Sequence, residues 1–209
     1  PFFTLACLSG LSLPLLWVLI YLGALPAPAT PVGALQWHAH EMFFGFGWAV
    51  LGGFLLTATK NWVSIRGYHG TPLVVLVAAW LFERAGMWFG ADWPAALFAL
   101  SNTLFLAAIV AMLLWTLVRH RKDDSYRDNY FFLLVLPAFL LAKQLMLGGE
   151  HFQAGIAMAT GLFRVAFLVM LERTLTQFMK NVFQAEILRH AALDKAIKLL
   201  AVLLCGAGF

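Results

Sequence analysis

An all-α, polytopic transmembrane bundle, six full spans and part of a seventh, is what these 209 residues predict. The first observation is composition. Hydrophobic residues make up 62% of the chain and charged residues only 11%, where a soluble domain carries roughly a quarter charged. The second is the recurrence of apolar runs of about 18 residues or more, the length that crosses a bilayer as a helix. The third is that short, breaker-rich connections separate those runs: "PAPATPVG", "RGYHGTP", "GADWP" and "GGEHFQ". The lipid bilayer is therefore the first partner.

The spans follow in order. Phe3–Leu25 opens the chain, with no basic start and enough length to cross, so it reads as a span and not as a cleaved signal. Trp37–Thr59, Pro72–Phe89, Ala95–Val118, Tyr130–Leu147 and Ala154–Leu171 follow, and a seventh begins near Ala196. Between the last two, "FQAEILRHAALDKAIKLL" mixes apolar and charged positions as an interfacial or cytoplasmic helix does. All of this reads as one helical domain. Both ends of the sequence look cut, since residue 1 is not Met and the final apolar run stops at Phe209.

Charge sets the orientation. Lys60 and Arg66 follow span two, "RHRKDDSYRDN" follows span four, and Arg173, Lys180, Arg189 and Lys195 follow span six. The connections after spans one, three and five hold no Lys or Arg. By the positive-inside rule the even loops face the cytoplasm. The net charge of +4 thus reports topology and is no nucleic-acid footprint. Cys7 and Cys205 lie far apart in apolar runs and suggest no disulfide framework. Nothing in the sequence sets an oligomeric state.

Span two enters from outside with "WHAHEM". On a regular helix His38 shares a stripe with Glu41, Met42, Gly45, Ala49 and Gly52, while His40 shares one with Phe43, Phe44, Gly47 and Leu51. Positions two apart lie about 200° apart around a helix, so the histidines address different faces. Were the chain still extended there, they would point the same way. Imidazole suits iron, copper and zinc, and a thioether shifts preference toward copper. His38 with Met42 is a partial copper site and His40 a haem axial ligand, or the reverse. The competing reading is a hydrated, interfacial cluster anchored by Trp37.

Glu41 is expected to orient an imidazole by hydrogen bonding. Other charges recur at outer depth: Glu83 and Arg84 in span three, Lys143 and Gln144 in span five, then Glu150 and His151. Arg164 lies mid-span six. Charges at such depth pair or face a cavity. Either Glu83 pairs structurally, with Arg164 for example, or Arg84 and Arg164 neutralise a cofactor's or substrate's anionic groups.

"LQWHAHEMFFGFGWAVLGGFLLTATKNW", preceded by "PFF" at span one, resembles the signature of the NnrS family of bacterial inner-membrane proteins. The resemblance is dense across span two and thins to spacing afterwards. It implies a protein about twice this length with about twelve spans, holding haem and copper and acting in the nitric oxide response. His38 and His40, with Met42 in support, are then its metal ligands, and nitric oxide or a nitrosyl species its small partner. Two stretches depart from the family's pattern. Lys60 replaces the proline of "TAxPNW", and "ERTLTQFMKN" stands where "GRxxPxFTxN" is usual. The alternative function is a transporter or export component with a polar outer pocket and no redox cofactor; a third is a helical scaffold for another membrane complex.

Overall fold

In the computed structural model, residues 1–122 and 131–184 are described, together with positions 192, 193, 196, 197, 199, 200 and 203. The described residues are helical, with no strand among them. The helices are α1 (Phe2–Tyr21), α2 (Ala34–His40), a π-helix (Glu41–Gly47), α3 (Trp48–Trp62) and α4 (Thr71–Phe89). After a short 3-10 turn at Gly90–Asp92 come α5 (Ala95–Arg119), α6 (Phe131–Leu147) and α7 (Phe152–Phe183). Five of the described helical stretches are long and apolar enough to cross a membrane, with α2, the π-helix and α3 acting as one continuous rod. The helix over Phe131–Leu147 is shorter. Most of the expected seventh span and of the interfacial segment before it lies outside the described residues.

The second crossing is the centre of the bundle. Its Trp37, Phe44, Trp48, Ala49 and Leu51 are buried, and α1, α4, α5, α6 and α7 pack around it. Inside a bilayer, helices associate through close packing and hydrogen bonds, because lipid is as apolar as leucine. Small residues on the rod permit that closeness. A methyl group added at Gly52 would stand 2.7 Å from Ile109 Cδ1 of α5, and one at Gly47 would stand 2.8 Å from Phe163 Cζ of α7. The stripe of small residues therefore receives neighbouring side chains. Leu8, Leu11 and Leu15 of α1, Val74 and Val75 of α4 and Leu168 of α7 point outward, as lipid-facing residues do.

The loops segregate to two ends. Ala91 N donates to Ala29 O at 2.9 Å, joining the connections after α1 and α4. At the opposite end Tyr68 Oη lies 2.9 Å from Thr116 Oγ1, tying the Arg66-bearing loop to the basic end of α5. The alternation read from Lys and Arg is thus built into the packing. One boundary differs. Span six was expected to end at Leu171, yet α7 runs unbroken to Phe183. Its 32 residues extend about 48 Å against a hydrocarbon core of about 30 Å. Arg173 and Lys180 therefore lie on the same helix as the apolar stretch, and hydropathy marks where that stretch ends, not where the helix does.

Candidate functional site

Gly33 closes the loop after α1, its N–H donating to Gln36 Oε1 at 3.0 Å, and α2 begins at Ala34. The two histidines then diverge as a regular helix requires. His38 turns toward α1 and stacks on Trp17, with ring centroids 4.3 Å apart and planes 13° from parallel. Its Nδ1 is buried without a hydrogen-bond partner. Met42 packs on the same side, in the cluster of Leu13, Trp37 and Met87 that Trp17 also joins. His40 turns inward and is fully buried.

Around His40 the chain assembles a buried ionic network from three elements. Glu41 begins the π-helix, Glu83 and Arg84 come from α4, and Lys143 comes from α6. Glu83 Oε1 is the hub: Lys143 Nζ and Arg84 Nη2 each donate to it at 2.6 Å. His40 Nε2 also lies 3.3 Å from that oxygen, off the hydrogen-bonding direction. On the other side of the ring, His40 Nδ1 is 3.2 Å from Glu41 Oε1, and Arg84 Nε is 3.0 Å from Glu41 Oε2. Glu83 is 0% exposed, Lys143 1%, Glu41 2% and Arg84 14%. Two acidic side chains face two basic ones around the His40 ring. Such pairing is what makes charge tolerable inside a bilayer.

The π-helix makes the arrangement fit. One wide turn inside a helix re-aims the side chains that follow it, and such turns recur at functional sites. Gly45 lies on it, and a methyl group there would stand 2.6 Å from Arg84 Nη1 and 2.9 Å from Glu41 Oε2. Only a glycine lets the guanidinium lie against the rod. Trp80 Nε1 donates to the Gly45 carbonyl at 3.1 Å, and the Arg84 guanidinium carbon sits 5.1 Å from the Trp80 ring centroid. Lys143 is similarly covered by Phe44, 5.4 Å from its ring centroid.

His40, Glu41, Glu83, Arg84 and Lys143 are thus brought together, and Arg164 is not. Arg164 is exposed on α7, and Glu83 takes its cations from its own neighbour and from α6. Gln144, Glu150 and His151 are also exposed. Every member of the network is marked in the sequence by its depth, and the structure pairs Glu83 with its neighbour Arg84 and also with Lys143. The missing information was helix adjacency, which no local pattern carries.

The family model described as NnrS protein matches residues 1–209. The chain belongs to the NnrS family. Comparisons with curated proteins and with solved structures returned no match.

The two histidines differ in what they leave free for a metal. His40 does not fit as a ligand where it stands, because each ring nitrogen faces a carboxylate and cations lie behind both. Among the described residues, no group of three or more His, Cys, Asp or Glu is placed to hold a metal ion. His38 fits better. Its unpartnered, buried Nδ1 is a donor atom without a use inside this fold, and buried polar atoms are normally satisfied. Met42 offers a thioether from the same side.

Proposed function

We propose that this chain is part of a bacterial inner-membrane haem and copper protein of nitric oxide metabolism, protecting against nitrosative stress. Its metal site lies at the periplasmic end of the second crossing. Family membership supports the link to nitric oxide, and the orientation follows from the Lys and Arg asymmetry of the loops. The observation that carries the site is the buried, unpartnered Nδ1 of His38, held on the Trp17 ring. A bound haem iron or copper supplies affinity for nitric oxide and a redox couple. The chain's own residues hold and shield. His38 presents an imidazole, Trp17 fixes its plane, Met42 offers a soft donor suited to copper, and the outer apolar turn excludes water. Arg84, the network's most exposed cation, is held by Glu41 and Glu83.

Metal analysis and absorption spectra of the full-length protein test this. His38→Ala is expected to lower iron or copper content with insertion intact, and Met42→Leu to lower copper more than iron. Wild-type metal content and spectra in folded His38→Ala would remove the site from His38. Loss of iron in a folded His40→Ala protein would instead place ligation on His40 and require the network to rearrange. The buried network itself favours one other reading, a transporter or export component, because intramembrane charges mark ion pathways. Metal-replete protein with no Soret band would decide for it.

A further inference from the structure

A cavity of about 600 Å³ opens at the side of the bundle between α1, α4 and the second crossing. Its walls are apolar and aromatic, including Leu8, Leu13, Trp37, Trp80 and Trp88, with Trp37 and Trp88 edge to face at 5.4 Å. Its polar end is made by Glu41 and Arg84. Glu41 is 2% exposed, and its Oε2, like Arg84 Nε and Nη1, has no aligned hydrogen-bond partner. We propose that this cavity is a binding site for a neutral, lipid-soluble ring bearing carbonyl or hydroxyl oxygens, a ligand of the quinone class.

Three features choose that chemistry. The first is depth. Glu41 lies seven residues inside the start of α2 at Ala34, and Arg84 lies six residues short of Gly90. At 1.5 Å per residue both are about 10 Å below the outer ends of their helices. A phospholipid headgroup rests at the surface and does not descend that far, whereas a small uncharged ring does. The second is charge. Two carboxylates and two cations balance in the network behind the cavity, so nothing there calls for an anionic head. The third is pairing. A guanidinium donates to a ring carbonyl and a carboxylate accepts from a ring hydroxyl, while indole walls suit a flat ring. An isoprenoid tail would leave along the Leu8 side into the bilayer.

The test uses the full-length protein in nanodiscs of phosphatidylcholine free of quinone, titrated with decylubiquinone and followed by tryptophan fluorescence. Saturable quenching is expected. Ser12→Phe and Ala85→Phe fill the cavity from its lipid side without touching the network, and each should weaken the apparent Kd at least tenfold. Leu104→Phe, exposed on α5, should leave it unchanged. Each variant is first checked for wild-type elution, so two independent fillings are available if one disturbs folding. Unsaturable quenching, or equal Kd values in the filled variants, would overturn the proposal. So would equal competition by decylbenzene, which has the tail but no ring oxygens, or displacement of the probe by added phosphatidylglycerol.

Discussion

Replacing Glu83 by glutamine tests the hub of the buried network most directly. The substitution keeps size and shape but removes the charge that Lys143 Nζ and Arg84 Nη2 both approach at 2.6 Å. The two cations are not left equally stranded. Arg84 retains Glu41 at 3.0 Å and is 14% exposed, while Lys143 is 1% exposed and loses the only carboxylate within ion-pair distance among the described residues. Breaking a buried pair from one side costs about 3–5 kcal/mol, because an uncompensated charge stays in low dielectric. Glu83→Gln should therefore destabilise by roughly that amount, and Lys143→Met, which strands Glu83 only in part because Arg84 remains, by less. The double variant removes one charge of each sign and should recover part of the loss, giving a coupling of about 1–3 kcal/mol. The assay is unfolding of the purified full-length protein in detergent by titrated sodium dodecyl sulfate, with Arg164→Gln as an exposed comparison. Additive losses in the double variant, or a Glu83→Gln cost no larger than that of Arg164→Gln, would refute the pairing.

Gly45→Ala should cost about 1–3 kcal/mol by overpacking, since its methyl meets Arg84 Nη1 at 2.6 Å; Gly33→Ala, where the nearest atom is 3.5 Å away, should change the unfolding midpoint far less. For orientation, single cysteines at Ala34 and Gly148 in a background lacking Cys7 and Cys205 should react with an impermeant thiol reagent in spheroplasts. Cysteines at His69 and Gln184 should react only after lysis, and the reverse pattern would place the proposed site on the cytoplasmic side.

Much of this architecture was legible because a bilayer imposes it. Apolar length announced the membrane-length helices, and the alternation of loop Lys and Arg announced which loops gather at the same end. The divergence of His38 and His40 followed from helix geometry alone, since α2 is regular through His40. Three things were not legible. The π-helix at Glu41–Gly47 leaves no compositional mark, because "EMFFGFG" suits an ordinary helix equally well. That Glu83 also takes Lys143 depended on α6 lying against the second crossing, a contact between residues 60 positions apart. Arg164 looked like a pocket residue by depth, but depth does not say which side of a helix faces protein.

The placement of Glu83 beside Arg84 bears on how the chain enters the membrane. α4 is synthesised before α6, so Glu83 must be inserted while Lys143 is still unmade. Its adjacent arginine already holds it at 2.6 Å within the same helix, so α4 can partition with its two charges mutually neutralised. Lys143 has no such companion on α6 and would enter as an unpaired charge, at a cost. Docking on Glu83 offsets that cost only once the earlier crossings stand together. The ion network is in this sense a checkpoint on order of assembly: α6 is secure only when the second crossing and α4 are already in place to receive it.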